Sequence, residues 1–472
     1  MIQPSLHPED ARASCESRRR WSFGLTPRTI GLLVLGFIWL IPGFWDDRLS
    51  YAMLGWDALV LLAAFLDGLR LPRPAQLNAA RSWNNAPALD SETEIELKLE
   101  NRGKVILGCR VEDDLPAALT AQIEAQHLTA FPNVPAAVRY RIEPQERGDC
   151  QARSLYIAYR SPLGLAERWA RAPLDQHVRV YPALRTGEEQ RLFLARSRQI
   201  DLQLRQVRQR GLGRDFESLR EYREGDDLRD ICWTATARRG SPITRQYQTE
   251  RSQPVWVVLD CGRLMRSRSA AHGKTLDERV GIRREHSKLD FACTTAVSLA
   301  QLALYSGDRV GLLAYGQGIQ QRLLPGRGAA HLRQLIEALA QVHAETSEAD
   351  HLRATATLNR LQPRRALILW ITDLAESAMR PEVIDGAAQL LRRHVLLFVA
   401  IAQPEVGRIA AARPKNVEEM FRAAAAQEMA GRRELLLARL HEQGALTLDL
   451  NPEALTSNVL NQYLMVKERA MV

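Results

Sequence analysis

Two stretches near the N-terminus limit what this chain can fold into. Residues 29–45 (TIGLLVLGFIWLIPGFW) carry no charge, and residues 49–66 (LSYAMLGWDALVLLAAFL) carry one, Asp57. As helix, each run spans about 26 Å at ~1.5 Å per residue, near the lower limit for crossing a hydrocarbon layer. Asp46, Asp47 and Arg48 separate the runs, and Trp39, Trp45, Tyr51 and Trp56 gather around that connection, as an interfacial aromatic belt would. The pattern predicts a transmembrane helical hairpin over 29–68. A second apolar run directly after the first, with no A-x-A-like site between, argues against a cleaved signal peptide. Asp57, a lone acid near one end, is expected to reach the interface or to face the partner helix.

The flanks predict orientation. Arg12, Arg18, Arg19, Arg20 and Arg28 precede the first run, and Arg70 and Arg73 follow the second; the connection has one Arg and two Asp. The positive-inside rule then puts both ends and the main body in the cytoplasm, with the turn outside, in an inner (cytoplasmic) membrane. Residues 1–28 read as a basic cytoplasmic N-terminus. Six cysteines (Cys15, Cys109, Cys150, Cys232, Cys261, Cys293) are scattered with no C-x-x-C pair. They imply a reducing compartment and neither a zinc site nor a disulfide framework.

Beyond the hairpin the chain is that of water-soluble domains: 472 residues, 46% hydrophobic and 25% charged, which excludes a polytopic transporter. From 76 to 184 the hydrophobic period is two. In Thr93–Glu100, Ile95, Leu97 and Leu99 share one face while Glu94, Glu96, Lys98 and Glu100 share the other. Short runs of this kind, punctuated by Pro and Gly, predict a small antiparallel β-sandwich, read as a spacer or interaction module.

Residues 187–253 read as a linker: a basic helix over 187–211, then a dense stretch in which both signs of charge alternate with Phe216, Leu219, Tyr222, Leu228, Ile231 and Trp233. Its acids (Glu221, Glu224, Asp226, Asp227, Asp230) lie among Arg220, Arg223 and Arg229, so mutual neutralisation is the cheaper explanation than a metal site. The expectation is a structural brace over 211–240, with Trp233 buried and Arg220 or Arg229 paired to acids of the same stretch.

From 254 to 466, apolar strands alternate with helices, which predicts a doubly wound, mostly parallel α/β sheet. Asp260 and Asp373 follow two of the strands, at the carboxyl ends where such sheets bind ligands. Enzyme motifs fail here. His272-Gly-Lys-Thr275 lacks the glycine that a phosphate loop needs at 268, which is Arg268. There is no G-x-S-x-G elbow and no H-E-x-x-H. No catalytic residue is assigned, and the chain is not expected to be an enzyme.

Several of these segments together resemble a known family. Arg147-Gly148, Ser161-Pro-Leu-Gly-Leu165 and Val180-Tyr-Pro182 follow the two-helix anchor. The stretch from Leu219 to Arg238, with Arg220, Tyr222, Gly225, Asp226, Asp227, Arg229, Trp233 and Arg238, is the more specific part. It is similar to the signature of bacterial membrane-anchored proteins catalogued as domain of unknown function 58, whose genes accompany MoxR-type AAA+ ATPases. The resemblance implies a von Willebrand factor A-like fold for the C-terminal domain. It also implies a position for a metal-dependent adhesion site, in which a D-x-S-x-S loop, a Thr and a later Asp hold Mg²⁺ through hard oxygen donors. Here Asp260 is present, Gly262 and Leu264 stand where the two serines would, Arg263 lies between them, and Thr346 and Asp373 fit the remaining positions. The expectation is a degenerate site that binds Mg²⁺ weakly or not at all, with a cationic side chain such as Arg263 beside the carboxylates. No cofactor is assigned.

The leading functional expectation is a membrane-tethered interaction or scaffold protein, partner of a MoxR-type AAA+ ATPase in the assembly or maturation of other proteins. The alternative is a basic, nucleic-acid-associated membrane protein, favoured by a net charge of +9 and 14 arginines in residues 191–251. Interleaved acids and few aromatics there argue against a continuous phosphate-tracking groove, so no nucleic-acid partner is expected. A hydrolase lacks any nucleophile–base constellation.

Overall fold

The computed structural model describes residues 10–17, 23–39, 47–120, 124–183, 215–223, 231–248, 253–270, 285–374 and 382–469, with single positions at 8, 195 and 228. The chain divides into two compact units, Met1–Ala183 and Leu184–Val472.

The first unit is a β-sandwich carrying two apolar helices. Its strands are β1 (Ala11–Ser14), β2 (Glu16–Ser17), β3 (Phe23–Leu25), β4 (Leu77–Trp83), β5 (Thr93–Asn101), β6 (Leu107–Asp113), β7 (Gln126–Ala130), β8 (Pro135–Ile142), β9 (Gly148–Arg160) and β10 (Ala166–Val180). One sheet has the order β1-β4-β5-β8; the other runs β2-β10-β9-β6-β7, with β3 also on β10. The inward rows of β4, β5, β6, β9 and β10 interdigitate into one core that includes Leu77, Ile95, Leu97, Leu107, Leu155 and Val178. Period-two patterning thus becomes two faces, one dry and one wet. An ion pair joins the sheets inside this core. Arg81 Nε donates to Asp113 Oδ2 at 3.0 Å, Tyr140 OH donates to the same oxygen at 2.5 Å, and Arg81 Nη1 reaches Gln176 Oε1 at 3.1 Å.

The N-terminal residues differ from expectation. Ala11–Ser17 and Phe23–Leu25 do not stand apart as a basic tail: β1 pairs antiparallel with β4, and β2 and β3 pair with β10. These strands are two to four residues long. They complete sheet edges formed by later strands, so no local apolar pattern announces them.

Between β3 and β4 lie α1 (Pro27–Gly36), which runs into a 3₁₀ turn over Phe37–Trp39, and α2 (Asp47–Leu69). Among the described residues one segment, Tyr51–Leu69 of α2, is long and apolar enough to cross a membrane, and α1 is a shorter apolar helix. Residues 40–46 of the expected first span lie outside the described residues. The two helices touch: Trp56 Nε1 donates to Leu32 O at 2.9 Å. A Cβ at Gly36 would stand 2.6 Å from Asp57 Oδ1, so Asp57 faces the neighbouring helix. Both stems dock on the turn after β9. Thr26 caps α1 and also donates through Oγ1 to Gly164 O at 2.5 Å, and Thr29 Oγ1 donates to Leu165 O at 2.6 Å. From α2, Asp67 accepts from Ser161 Oγ and from Leu165 N (3.3 Å). Gly164 holds φ +69°, a left-handed conformation that glycine adopts without strain. The Ser161–Leu165 motif is therefore the joint between the sandwich and the helix pair.

The second unit opens with a small hairpin, β11 (Asp215–Glu221) and β12 (Ile243–Gln248), with α3 (Trp233–Arg239) between them in sequence. The expected helix over 187–211 lies outside the described residues, Ala195 apart. There follows an α/β sheet of β13 (Pro254–Asp260), β16 (Arg309–Tyr315), β17 (Ile319–Gly326), β18 (Leu367–Thr372), β19 (Val395–Ile401) and β20 (Leu446–Leu450). A short ribbon of β14 (Arg268–Ala270) and β15 (Glu285–Ser287) interrupts it. The order is β17-β16-β13-β18-β19-β20, parallel except for the antiparallel edge strand β17. Its helices are α4 (Lys288–Tyr305), α5 (Gly328–Gln341), α6 (His351–Leu361), α7 (Glu382–Leu391), α8 (Pro404–Ala411), α9 (Val417–Glu442) and α10 (Leu455–Glu468). One group, α4, α5 and α10, packs together; α6, α7 and α9 pack around Trp256, Trp370 and Phe398. Strands such as Val255–Leu259 are buried along their whole length, as parallel strands covered on both sides must be.

Candidate functional site at the carboxyl ends of the parallel strands

Parallel register brings Asp260 and Asp373 to one edge of the sheet. Leu259 lies opposite Ile371, so Asp260 sits beside Thr372, and Asp373 is the next residue. Asp260 is fully engaged: Oδ1 accepts from Gly262 N at 2.7 Å and Oδ2 from Thr372 Oγ1 at 2.5 Å. Burial pushes its carboxyl above the usual carboxylate range, with the nearby His351 and the Thr372 hydroxyl opposing. His351 begins α6 and holds Tyr315 OH through Nδ1 at 2.9 Å; Trp370 Nε1 donates to the same hydroxyl at 2.7 Å.

Asp373 is 0% exposed and is held by two cations. Lys288, 1% exposed, donates its Nζ to Oδ2, and Arg433 Nη1 donates to Oδ1 at 3.2 Å. Arg433 also forks onto Asp449, with contacts of 2.7 to 3.1 Å. Burial lowers the Lys288 ammonium below its ordinary value, opposed by the Asp373 carboxylate. Helix geometry sets both cations. Lys288 is the first residue of α4, fixed by a capping box between Ser287 and Asp290. Arg433 projects from α9, whose later Leu436 and Leu440 are in the core.

The residues present do not fit Mg²⁺. The ion demands a near-octahedral set of oxygens, and Gly262 and Leu264 supply no side-chain oxygen. A serine at 262 would not fit either: a Cβ there would stand 2.9 Å from Ala349 N and 3.1 Å from Asp260 Oδ1. The loop carrying Thr346 is pinned there by Glu345 N donating to Cys261 O (2.7 Å) and Arg263 N donating to Ser347 O (2.9 Å). Thr346 itself is exposed. Every oxygen of the two carboxylates already accepts from a protein donor, and two cations flank Asp373. The expected neighbour, Arg263, is not the cation in question: its exposed guanidinium reaches Glu348 at 3.4 Å. Lys288 and Arg433 take that role because buried stems deliver them from helix positions behind the rim, whereas Arg263 sits on the outer loop. Sequence reasoning missed both. The one signal was a lysine at the first turn of an apolar helix, with Asp290 marking the cap.

The motif stretch from 219 to 238 is only partly described. Gly225, Asp226, Asp227 and Arg229 lie outside the described residues. Arg220 Nη1 donates to the backbone carbonyl of Glu221 at 3.2 Å, and most of the acids expected to pair with it lie outside the described residues. Tyr222 is half-buried, and its N–H donates to Pro242 O at 2.9 Å; Arg238 is exposed in the last turn of α3. Trp233 is 70% exposed, which overturns its expected burial. It is the first residue of a seven-residue helix that has no buried residue of its own; the buried neighbours are the N-cap Cys232 and Ile243 of β12.

A family model described as "Protein of unknown function DUF58" matches residues 218–420. Uncharacterized proteins of Mycobacterium tuberculosis and Mycobacterium bovis are each 26% identical to the chain over 204 residues, 42% of this chain and 60% of theirs. The chain thus spans about 60% of the length of these curated relatives. Among solved structures, the conserved hypothetical protein BatB from Bacteroides thetaiotaomicron aligns at 13% identity over 46% of this chain and 100% of its own, with a TM-score of 0.28. An uncharacterized membrane spanning protein from Vibrio fischeri aligns at 11% identity over 45% and 96%, with a TM-score of 0.17.

Proposed function

We propose that the chain is a membrane-tethered interaction protein whose α/β domain, von Willebrand factor A-like in type, docks a cytoplasmic protein partner without a bridging metal. The observation that carries this reading is the closed charge network at the strand ends. Asp260 and Asp373 are spent on internal partners, so what the rim offers outward is the exposed Arg266 and, beside it, Arg263 with its guanidinium 3.4 Å from Glu348. Exposed cations steer an acidic surface toward the rim, and tethering confines the encounter to the membrane. The family resemblance supplies the candidate, a MoxR-type AAA+ ATPase, which would bring the nucleotide chemistry. The tether is a two-helix hairpin. β1 and β4 pair within one domain, so any membrane crossing between them must be matched by a return. α2 is long enough for one crossing, and the chain before it, beginning with α1, is the return.

The test is a pull-down of the AAA+ ATPase by the detergent-solubilised chain at low salt. A complex that weakens with salt and with Arg263→Glu/Arg266→Glu, while the melting curve is unchanged, supports the reading. Recovery of no ATPase, or equal binding by the charge-reversed variant, would sink it.

A further inference from the structure

The wet face of the larger sandwich sheet holds a groove of about 670 Å³. Register aligns one row of side chains across four strands: Trp169 of β10, Ala158 of β9, Arg110 of β6 and His127 of β7. The row beside it has Gly108 at its centre, and a Cβ there would meet nothing within 4 Å. Two small residues therefore leave a depression in the middle of the sheet. On one side stands the Trp169 ring, 40% exposed and fixed by its Nε1 donating to Glu167 Oε1 at 3.1 Å. On the other stand Arg110 and His127, exposed cross-strand neighbours. Among the described residues, neither their side chains nor that of Glu112, next on the same face, make an ion pair or hydrogen bond. By contrast, Arg160 is already paired with Glu167 at 2.8 Å.

We propose that this groove binds an acidic peptide segment of a partner protein. A carboxylate of the segment lies between Arg110 and His127, an apolar side chain sits over Ala158 against Trp169, and Glu112 accepts a backbone N–H. The dimensions agree. Adjacent strands are ~4.8 Å apart, so the Arg110 and Trp169 backbones stand about 10 Å apart, and an extended chain at ~3.3 Å per residue covers that in two to three residues. The recognised pattern is an Asp or Glu two or three positions from a Phe, Leu or Trp. A sugar is disfavoured by the lining, which contains no Asn or Gln to pair with a ring of hydroxyls. The groove belongs to the first unit, so it is a contact additional to the Arg263 rim.

The experiment pans a random heptapeptide phage library on the full chain in detergent, then measures recovered synthetic peptides by fluorescence polarisation. Recovered peptides should share the acid-and-apolar spacing. Gly108→Val should fill the depression without disturbing the strand, and Arg110→Glu should repel the carboxylate. Each should raise Kd by about tenfold or more, the equivalent of ~1.4 kcal/mol, with an unchanged melting curve. The proposal is overturned if no peptide is recovered, if recovered peptides bind both variants as well as wild type, or if carboxylated oligosaccharides bind in a Gly108-dependent way and peptides do not.

Discussion

Asp373 shares its buried carboxylate between Lys288 and Arg433, and this arrangement makes a sharp demand on stability. Breaking one partner of a buried pair leaves an uncompensated charge, typically at a cost of about 3–5 kcal/mol. Lys288→Met should therefore lower the urea midpoint of the solubilised chain strongly. Millimolar Mg²⁺ should not restore it, because the missing serine oxygens remain missing; a restored midpoint would identify a cation site after all. His394 makes a second demand. It is 4% exposed, neither ring nitrogen has a hydrogen-bond partner among the described residues, and burial, with Arg393 adding to it, lowers the imidazole below its ordinary 6.5. The unfolded chain then binds more protons than the folded one as pH falls through about 6.5, so stability drops on acidification. His394→Leu should flatten the dependence of melting temperature on pH below that value, and an unaltered slope would show that another group is responsible. Asp260 and Asp373 were legible in the sequence because both end apolar strands. Lys288 and Arg433 were not, since each lies far along the chain from the carboxylate it meets. Trp233 was misread for a different reason: its size favours burial, but the seven-residue helix it begins has no buried residue at all.

At the scale of elements, the alternation of apolar strands with helices was enough to predict the mostly parallel α/β sheet to which strands such as Arg309–Tyr315 and helices such as His351–Leu361 belong. Patterning works there because fully buried strands need apolar runs and amphipathic helices need a 3.6 period. It fails for β1, β2 and β3, whose order comes from pairing with residues 64 to 155 positions later. The joint between helices and sandwich was likewise visible only as a motif, Ser161–Leu165, with no role attached. Structure gives it one: Asp67, 2% exposed, satisfies Ser161 Oγ and Leu165 N at once. Asp67→Ala takes the acceptor from the half-buried Leu165 N–H and leaves Ser161 Oγ only the carbonyl of Ala166, at a cost of about 1–3 kcal/mol. Limited proteolysis in detergent should then cut faster at the 161–165 turn, and Asp67→Asn, which keeps one acceptor oxygen, should be cut at an intermediate rate. Equal rates for all three proteins would remove Asp67 from the joint.

Across the whole molecule, the pairing of β1 with β4 turns a local question about one apolar helix into a constraint on topology. Both stems end on the same turn, so a helix pair that crosses a membrane leaves the sandwich on one side of it. Charge gives the expectation to be tested: seven arginines flank the stems and one lies in the connection, so the positive-inside rule would put the sandwich inside and the connection outside. Cysteines introduced singly at residue 47 and at residue 90, in a chain whose native cysteines are replaced, convert this into a measurement with an impermeant thiol reagent. Residue 90 is suitable because Asp90 is exposed. In intact cells residue 47 should label and residue 90 should not; after permeabilisation both should label. Labelling of residue 90 alone would invert the orientation and carry the Arg263 rim to the far side of the membrane, out of reach of a cytoplasmic ATPase. Labelling of neither site, with both reactive after lysis, would mean that the helix pair does not cross at all, and the two apolar helices would then have to find their cover in protein.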